Sequence, residues 1–137
     1  MKPHVLIVDD NKALLAVLLD FLALQGFGVT IASDAAMARR VLRQETLDLI
    51  VMDIALGEMD GLELLSEFKL DFPAVPVIMI TGMRPYAELA VEALSRGAAG
   101  FIHKCASPDE LLREINRVLQ LKPNEPASGT SPPAGSG

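Results

Sequence analysis

Apolar and polar positions alternate along the chain in blocks. Short apolar runs rich in β-branched residues recur at His4–Val8, Gly28–Ala32, Leu49–Met52, Val75–Ile80 and Ala99–His103. Runs of this length and composition are typical of strands buried on both faces of a parallel sheet. Between them lie longer segments with helical spacing. Lys12–Gln25 is stopped by Gly26, and a helix capped by Ser33 or Asp34 runs to about Gln44. Gly61–Phe72 is closed by Pro73. A helix opened by Pro85 ends at Arg96–Gly97. The last helix carries Ser107 as cap, Pro108 in its first position and Glu110 as the capping-box partner. Five strand–helix pairs in alternation predict an α/β fold, a parallel sheet with helices on both faces.

The two ends differ. From Pro123 to Gly137, seven of fifteen residues are Pro or Gly and the rest are mostly small or polar. Such a segment buries too little to offset its ordering entropy. The expected organisation is one folded domain over residues 1–122 and a flexible linker or tail over 123–137.

Composition narrows the class. Half of the 137 residues are hydrophobic, enough for one core, and no uninterrupted apolar run reaches the 18–20 residues of a membrane span. A net charge of −6 argues against a broad nucleic-acid surface. One cysteine, Cys105, excludes an internal disulfide framework, and nothing at the start reads as a secretory signal. The expectation is a soluble, cytoplasmic, acidic domain.

Ligands of open parallel α/β sheets bind beyond the carboxyl ends of the strands. There the chain places Asp9–Asp10, Asp53, Thr81 and Lys104. Three carboxylates become compatible around a hard divalent cation, and Mg²⁺ accepts carboxylate oxygens while leaving room for phosphate. An ammonium and a hydroxyl are suitable partners for a phosphoryl group. Each residue alone reads as a cap or a surface group; together they read as a Mg²⁺ site that handles phosphoryl groups, with one carboxylate as nucleophile. Gly26–Phe27–Gly28 lies between a helix and the next strand, the wrong order for a dinucleotide fingerprint. His4 and His103 lack metal-ligand partners, and Cys105 reads as an ordinary reduced thiol.

Val8–Asp9–Asp10, Asp48–Asp53, Met59–Asp60–Gly61, Ile80–Thr81–Gly82 and Gly97–Lys104 together resemble the receiver domain of two-component response regulators. The resemblance spans His4 to about Leu121 and implies a flavodoxin-like (βα)5 fold, strand order 2-1-3-4-5. It implies Asp53 as phospho-acceptor, from a sensor histidine kinase or a histidine phosphotransfer protein. Asp10 corresponds to the direct Mg²⁺ ligand, Asp9 to the acid acting through water, and the Ala55 carbonyl to a backbone ligand. Thr81 and Lys104 correspond to the hydroxyl and ammonium that meet the phosphoryl group, and Phe101 to the aromatic switch. The implied protein is a signalling switch that catalyses only its own phosphorylation and dephosphorylation. Gly97–Leu112 resembles receivers attached to LuxR-type output domains, which implies a transcriptional parent.

Two positions depart from the family. Gly57 stands where Pro is frequent, and a more mobile loop is expected. Cys105 follows the lysine where Pro is common, so a trans peptide is expected, the cis form costing ~2.5–4 kcal/mol. A pseudo-receiver and a small phosphatase or flavodoxin-like redox protein are the competing classes. The intact acceptor set argues against the first; the lack of a second catalytic acid and of a flavin-stacking Trp argues against the second.

Two helices suggest interaction surfaces. In the first, Leu14, Val17, Leu18 and Phe21 form the expected core stripe; Leu15, Leu19 and Leu22 are then either the kinase-docking surface that the resemblance implies for this helix, or part of a deeper core or a contact with a neighbouring subunit. In the fourth, Ala87, Ala90, Val91 and Leu94 form the expected core stripe. Tyr86, Leu89 and Ala93 are then an outer stripe, read as a face for phosphorylation-dependent homodimerisation. Neither nucleic acid nor membrane is an expected partner of this domain.

Overall fold

The computed structural model describes residues 2–83 and 85–120. The proposed tail over 123–137 lies outside the described residues. Elements follow in the order β1 (His4–Val8), α1 (Lys12–Leu24), β2 (Gly28–Ala32), α2 (Ala35–Gln44) and β3 (Leu49–Asp53). Then come β4 (Ala55–Leu56), β5 (Met59–Asp60), α3 (Gly61–Asp71), β6 (Val77–Thr81), α4 (Tyr86–Ser95), β7 (Gly100–His103) and α5 (Pro108–Gln120).

Five strands form one parallel sheet in the order β2-β1-β3-β6-β7. This is the expected 2-1-3-4-5 order, with a two-residue hairpin, β4–β5, inserted after the third strand. The strands read as continuous apolar runs because both faces are covered. One face packs Leu15, Leu18 and Leu22 of α1 with Leu111, Ile115 and Val118 of α5 against Val5, Ile7, Val51 and Ile78. The other packs α2, α3 and Ala93 of α4 against Leu6, Val8, Ile50 and Met52. On that second face Arg39 of α2 holds Glu67 of α3 by two hydrogen bonds, of 2.7 and 3.0 Å.

Helix starts follow their side-chain chemistry. Asn11, Asp34 and Asp60 each accept a first-turn N–H, from Leu14, Met37 and Leu62. Ser107 and Glu110 form the reciprocal capping box: the Ser107 N–H donates to Glu110 Oε1 at 2.9 Å and the Glu110 N–H to Ser107 Oγ at 3.2 Å. Pro85 stands just before α4 rather than in its first turn.

Both helices differ from the expected stripes. In α1 the buried residues are Leu15, Leu18 and Leu22, Leu19 is half-buried, and Val17 is 56 % exposed. In α4, Ala93 is buried and Tyr86 and Leu89 half-buried, whereas Val91 and Leu94 are 68 % and 53 % exposed. In α1 the expected Leu18 is core and Leu14 and Phe21 pack against it, so Val17 alone of that stripe is exposed; in α4 the expected Val91 and Leu94 are exposed, because a helix apolar on more than one stripe offers periodicity two faces. Leu15 and Leu22 are therefore core, not docking surface, and Tyr86, Leu89 and Ala93 face the sheet.

Two glycines shape the loop after β3. Gly57, at φ +63°, makes the turn between β4 and β5, in the left-handed region where a side chain is unfavourable. Gly61 begins α3 directly against the end of β3. Its N–H donates to the Ile54 carbonyl at 2.6 Å. A Cβ at this position would collide with the Asp53 carbonyl oxygen and stand 2.7 Å from Ile54 Cα. Both obstacles are backbone, so the helix or the strand end must move. Gly61→Ala is expected to lower stability by about 1–3 kcal/mol, read as a drop in the urea midpoint; an unchanged midpoint would show that the helix start shifts freely.

Candidate functional site

The sheet order brings the carboxyl ends of β1, β3, β6 and β7 side by side, and each supplies one group. Asp9 follows β1, Asp53 ends β3, Thr81 ends β6 and Lys104 follows β7. Asp9, Asp53 and Thr81 are buried, among a core otherwise apolar, and Asp10 is exposed. The strand order sets their arrangement: β3, with Asp53, is central, with the two carboxylates of Asp9 and Asp10 on one side and the hydroxyl on the other.

Lys104 spans the gap. Its Nζ donates to Asp53 Oδ2 at 2.7 Å and lies 3.2 Å from Asp9 Oδ2. Asp53 Oδ1 accepts the Ala55 N–H at 3.2 Å, and Asp9 Oδ1 accepts the Asn11 N–H at 2.8 Å. Asp10 Oδ2 accepts the Gly57 N–H at 3.1 Å, which ties the β4–β5 turn to the rim. Gly57, expected to loosen that loop, thus provides both its turn and a contact to Asp10. Thr81 Oγ1 accepts the Met83 N–H at 3.0 Å, and its own proton remains available.

Carboxylate oxygens of Asp9, Asp10 and Asp53 all lie within 4.8 Å of one another. Asp9 Oδ2 is buried without a hydrogen bond, its nearest partner being the ammonium. Oxygen donors this close, one of them unsatisfied, fit a hard divalent cation better than they fit each other. The electrostatics agree. Burial pushes the Asp9 carboxyl above its ordinary value; the Asn11 N–H pulls it back, the charge of Asp53 pushes it further up and Lys104 opposes. For Lys104, burial pulls the ammonium down, but the hydrogen bond and charge of Asp53, then those of Asp9, outweigh it and the net direction is up.

The structure therefore assembles Asp9, Asp10, Asp53, Thr81 and Lys104, with Ala55 beside Asp53. Phe101 lies on β7 away from this cluster, half-buried, its ring centroid 5.0 Å from that of Tyr86 at an interplanar angle of 63°. His103, two residues on, also meets the Tyr86 ring at 5.0 Å. Sequence reading did not connect these three residues. The signal was available: residues i and i+2 of a strand share a face, and Tyr86 opens the helix that follows the neighbouring strand.

Similarity to known proteins is consistent with this geometry. The family model for the response regulator receiver domain matches residues 5–116. The regulatory protein VirG of Agrobacterium tumefaciens is 37% identical over 121 residues, 88% of this chain and 45% of its own length. PetR of Rhodobacter capsulatus is 37% identical over 127 residues, 93% of this chain and 53% of its own. The chain thus spans about half the length of these curated relatives. A CheY-like receiver domain protein from Methanospirillum hungatei superimposes with a TM-score of 0.85 at 33% identity, covering 91% of this chain and 99% of the other. The receiver domain of NtrX from Brucella abortus gives 0.80 at 34%, covering 85% and 98%.

The raised Asp9 carboxyl sets a pH dependence. An acid whose folded value lies above its unfolded one costs no stability at low pH. The cost develops as pH rises from the ordinary value of 3.8 through the folded value and is complete above it. Without added divalent cation, Asp9→Asn is expected to raise stability at pH 7 by about 1 kcal/mol, with the urea midpoints of the two proteins converging near pH 3. A variant less stable at pH 7 would show that the Lys104 contact outweighs burial.

Proposed function

The chain belongs to the response regulator receiver family, phospho-accepting domains of two-component signalling, and on that premise we propose that Asp53 is its phospho-acceptor. The observation that supports the assignment is that Lys104 Nζ, which reaches both buried carboxylates, makes its shorter contact to Asp53 Oδ2, 2.7 Å against 3.2 Å to Asp9 Oδ2. Asp53 is also buried at the end of the central strand, away from bulk water but open to the acidic cluster.

The proposed resident cation is Mg²⁺, held by Asp9, Asp10, Asp53 and the Ala55 carbonyl; once bound it offsets the carboxylate charge and offers a Lewis-acid contact to phosphoryl oxygen. An Asp53 carboxylate oxygen attacks phosphorus of a phosphohistidine on a sensor kinase or phosphotransfer protein. The O–P bond forms, the N–P bond breaks, and the electron pair leaves with the imidazole. The Lys104 ammonium, already paired with Asp53, moves its donation to a phosphoryl oxygen. The Thr81 hydroxyl donates to another, and because Met83 N–H is bonded to Thr81 Oγ1 the following loop moves with it. Phe101 responds through its ring contact with Tyr86 at the start of α4. Water attack on the same phosphorus returns the carboxylate, so the chain's own chemistry is limited to gain and loss of this group. In Mg²⁺ and acetyl phosphate, the intact protein should gain the mass of one phosphoryl group, and Asp53→Asn should gain none. Labelling of Asp53→Asn, or none of the wild type, would reject the assignment, the second outcome favouring a receiver-shaped interaction module.

We further propose that the switched domain self-associates through the outer face of α4, where Val91 and Leu94 are exposed. The proposed setting is cytoplasmic; among the described residues no helix is long and apolar enough to cross a membrane. Direct nucleic-acid binding is assigned to an output domain of a longer parent rather than to this acidic chain. Sedimentation in Mg²⁺ and acetyl phosphate should show a mass increase towards twice the monomer. Val91→Lys should remain monomeric while still labelling; an equal mass for the two proteins would remove α4 from the interface.

A further inference from the structure

Four strand ends on this rim finish in the same way. The side chain at the last strand position, or one past it, accepts the backbone N–H two residues on. Asp9 Oδ1 takes it from Asn11 at 2.8 Å, Asp53 Oδ1 from Ala55 at 3.2 Å, and Thr81 Oγ1 from Met83 at 3.0 Å. On β7 the acceptor is His103, whose Nδ1 takes the Cys105 N–H at 3.0 Å. Asp and Thr make such turns routinely. A histidine in this place is a departure, and it flanks the lysine that reaches the acceptor.

The turn bearing Lys104 is closed twice by that one residue. The His103 carbonyl accepts the Ala106 N–H at 2.9 Å, and its ring accepts the Cys105 N–H. Lys104 enters the turn with its own N–H donated to the Thr81 carbonyl at 2.9 Å. With Cys105 in place of a proline, the backbone carries an N–H at this point that needs a partner. A neutral imidazole accepting at Nδ1 keeps its proton on Nε2. The same ring packs on Tyr86 of α4, centroids 5.0 Å apart and tilted by 42°. His103 therefore touches the lysine turn through a hydrogen bond and α4 through an aromatic face.

We propose that His103 is a positioning residue for Lys104. By fixing Cys105 it fixes the origin of a flexible four-carbon side chain, so that Nζ rests at Asp53, and through Tyr86 it couples that placement to α4. This rests on the reading of Lys104 as the phosphoryl-binding lysine. Asparagine at position 103 can replace the ring, because its Oδ1 forms the same two-residue turn, whereas leucine fills similar space without an acceptor.

The test compares wild type, His103→Leu and His103→Asn by two readouts, the rate of phosphorylation by acetyl phosphate in Mg²⁺ and hydrogen exchange of the Cys105 amide by NMR. His103→Leu should be phosphorylated about three- to tenfold more slowly, the range open to loss of one hydrogen bond, with Cys105 exchange faster by a similar factor. His103→Asn should restore both to within about twofold of wild type. The proposal is overturned if His103→Leu matches wild type in both, or if His103→Asn is as impaired as His103→Leu. Lys104→Gln separates this from the reading beneath it. If that variant is phosphorylated at the wild-type rate while Cys105 exchange still responds to His103, the hydrogen bond stands but the lysine's role falls, and the positioning role with it.

Discussion

Two buried carboxylates on adjacent strands share one ammonium, and much of the rim depends on how that charge is held. Asp9 and Asp53 stand at the ends of β1 and β3, and Lys104 reaches both from the end of β7, two strands from β3 and three from β1. Buried charge is tolerated only when paired and hydrogen-bonded. Here the pairing is incomplete, since Asp9 Oδ2 makes no hydrogen bond and the Asp9 carboxyl is pushed upward. That residual imbalance favours a ligand that brings positive charge among the carboxylates.

The surrounding backbone is organised to keep these groups in place. Side chains at four strand ends close short turns on themselves, so each functional or neighbouring group is oriented by its own main chain. The loop after β3 is held differently. Gly57 gives it a tight turn and an N–H for Asp10, and Gly61 lets α3 start against the Asp53 carbonyl without a Cβ between them. Remote packing supports this indirectly. The bidentate Arg39–Glu67 pair joins α2 to α3, the helix that starts at that contact.

Legibility in the sequence followed the strength of the physical signal. The five strands were plain because runs such as Leu49–Met52 have no polar face to confuse, and four crossovers leave few sheet orders. The rim residues were plain because Asp9, Asp53, Thr81 and Lys104 each terminate such a run. The buried face of α1 was legible only in part and that of α4 was not, because Ala, Leu and Val surround both helices and only tertiary contacts decide which stripe is buried. The β4–β5 hairpin escaped notice because two-residue strands carry no periodicity. His103 was set aside as a non-ligand, which addressed metal chemistry but not its capacity to accept a backbone N–H. That role depends on the residue two positions on having an N–H, a pairing that composition does not reveal.

The central claim is that Asp53, the carboxylate Lys104 holds most closely, and no other on the rim, becomes the acyl phosphate. Its most direct measurement is to treat the protein with Mg²⁺ and acetyl phosphate, reduce the acyl phosphate with borohydride and map the peptides by tandem mass spectrometry. The account expects reduction at position 53 alone. Reduction at Asp9 or Asp10, or at none of the three, would contradict it.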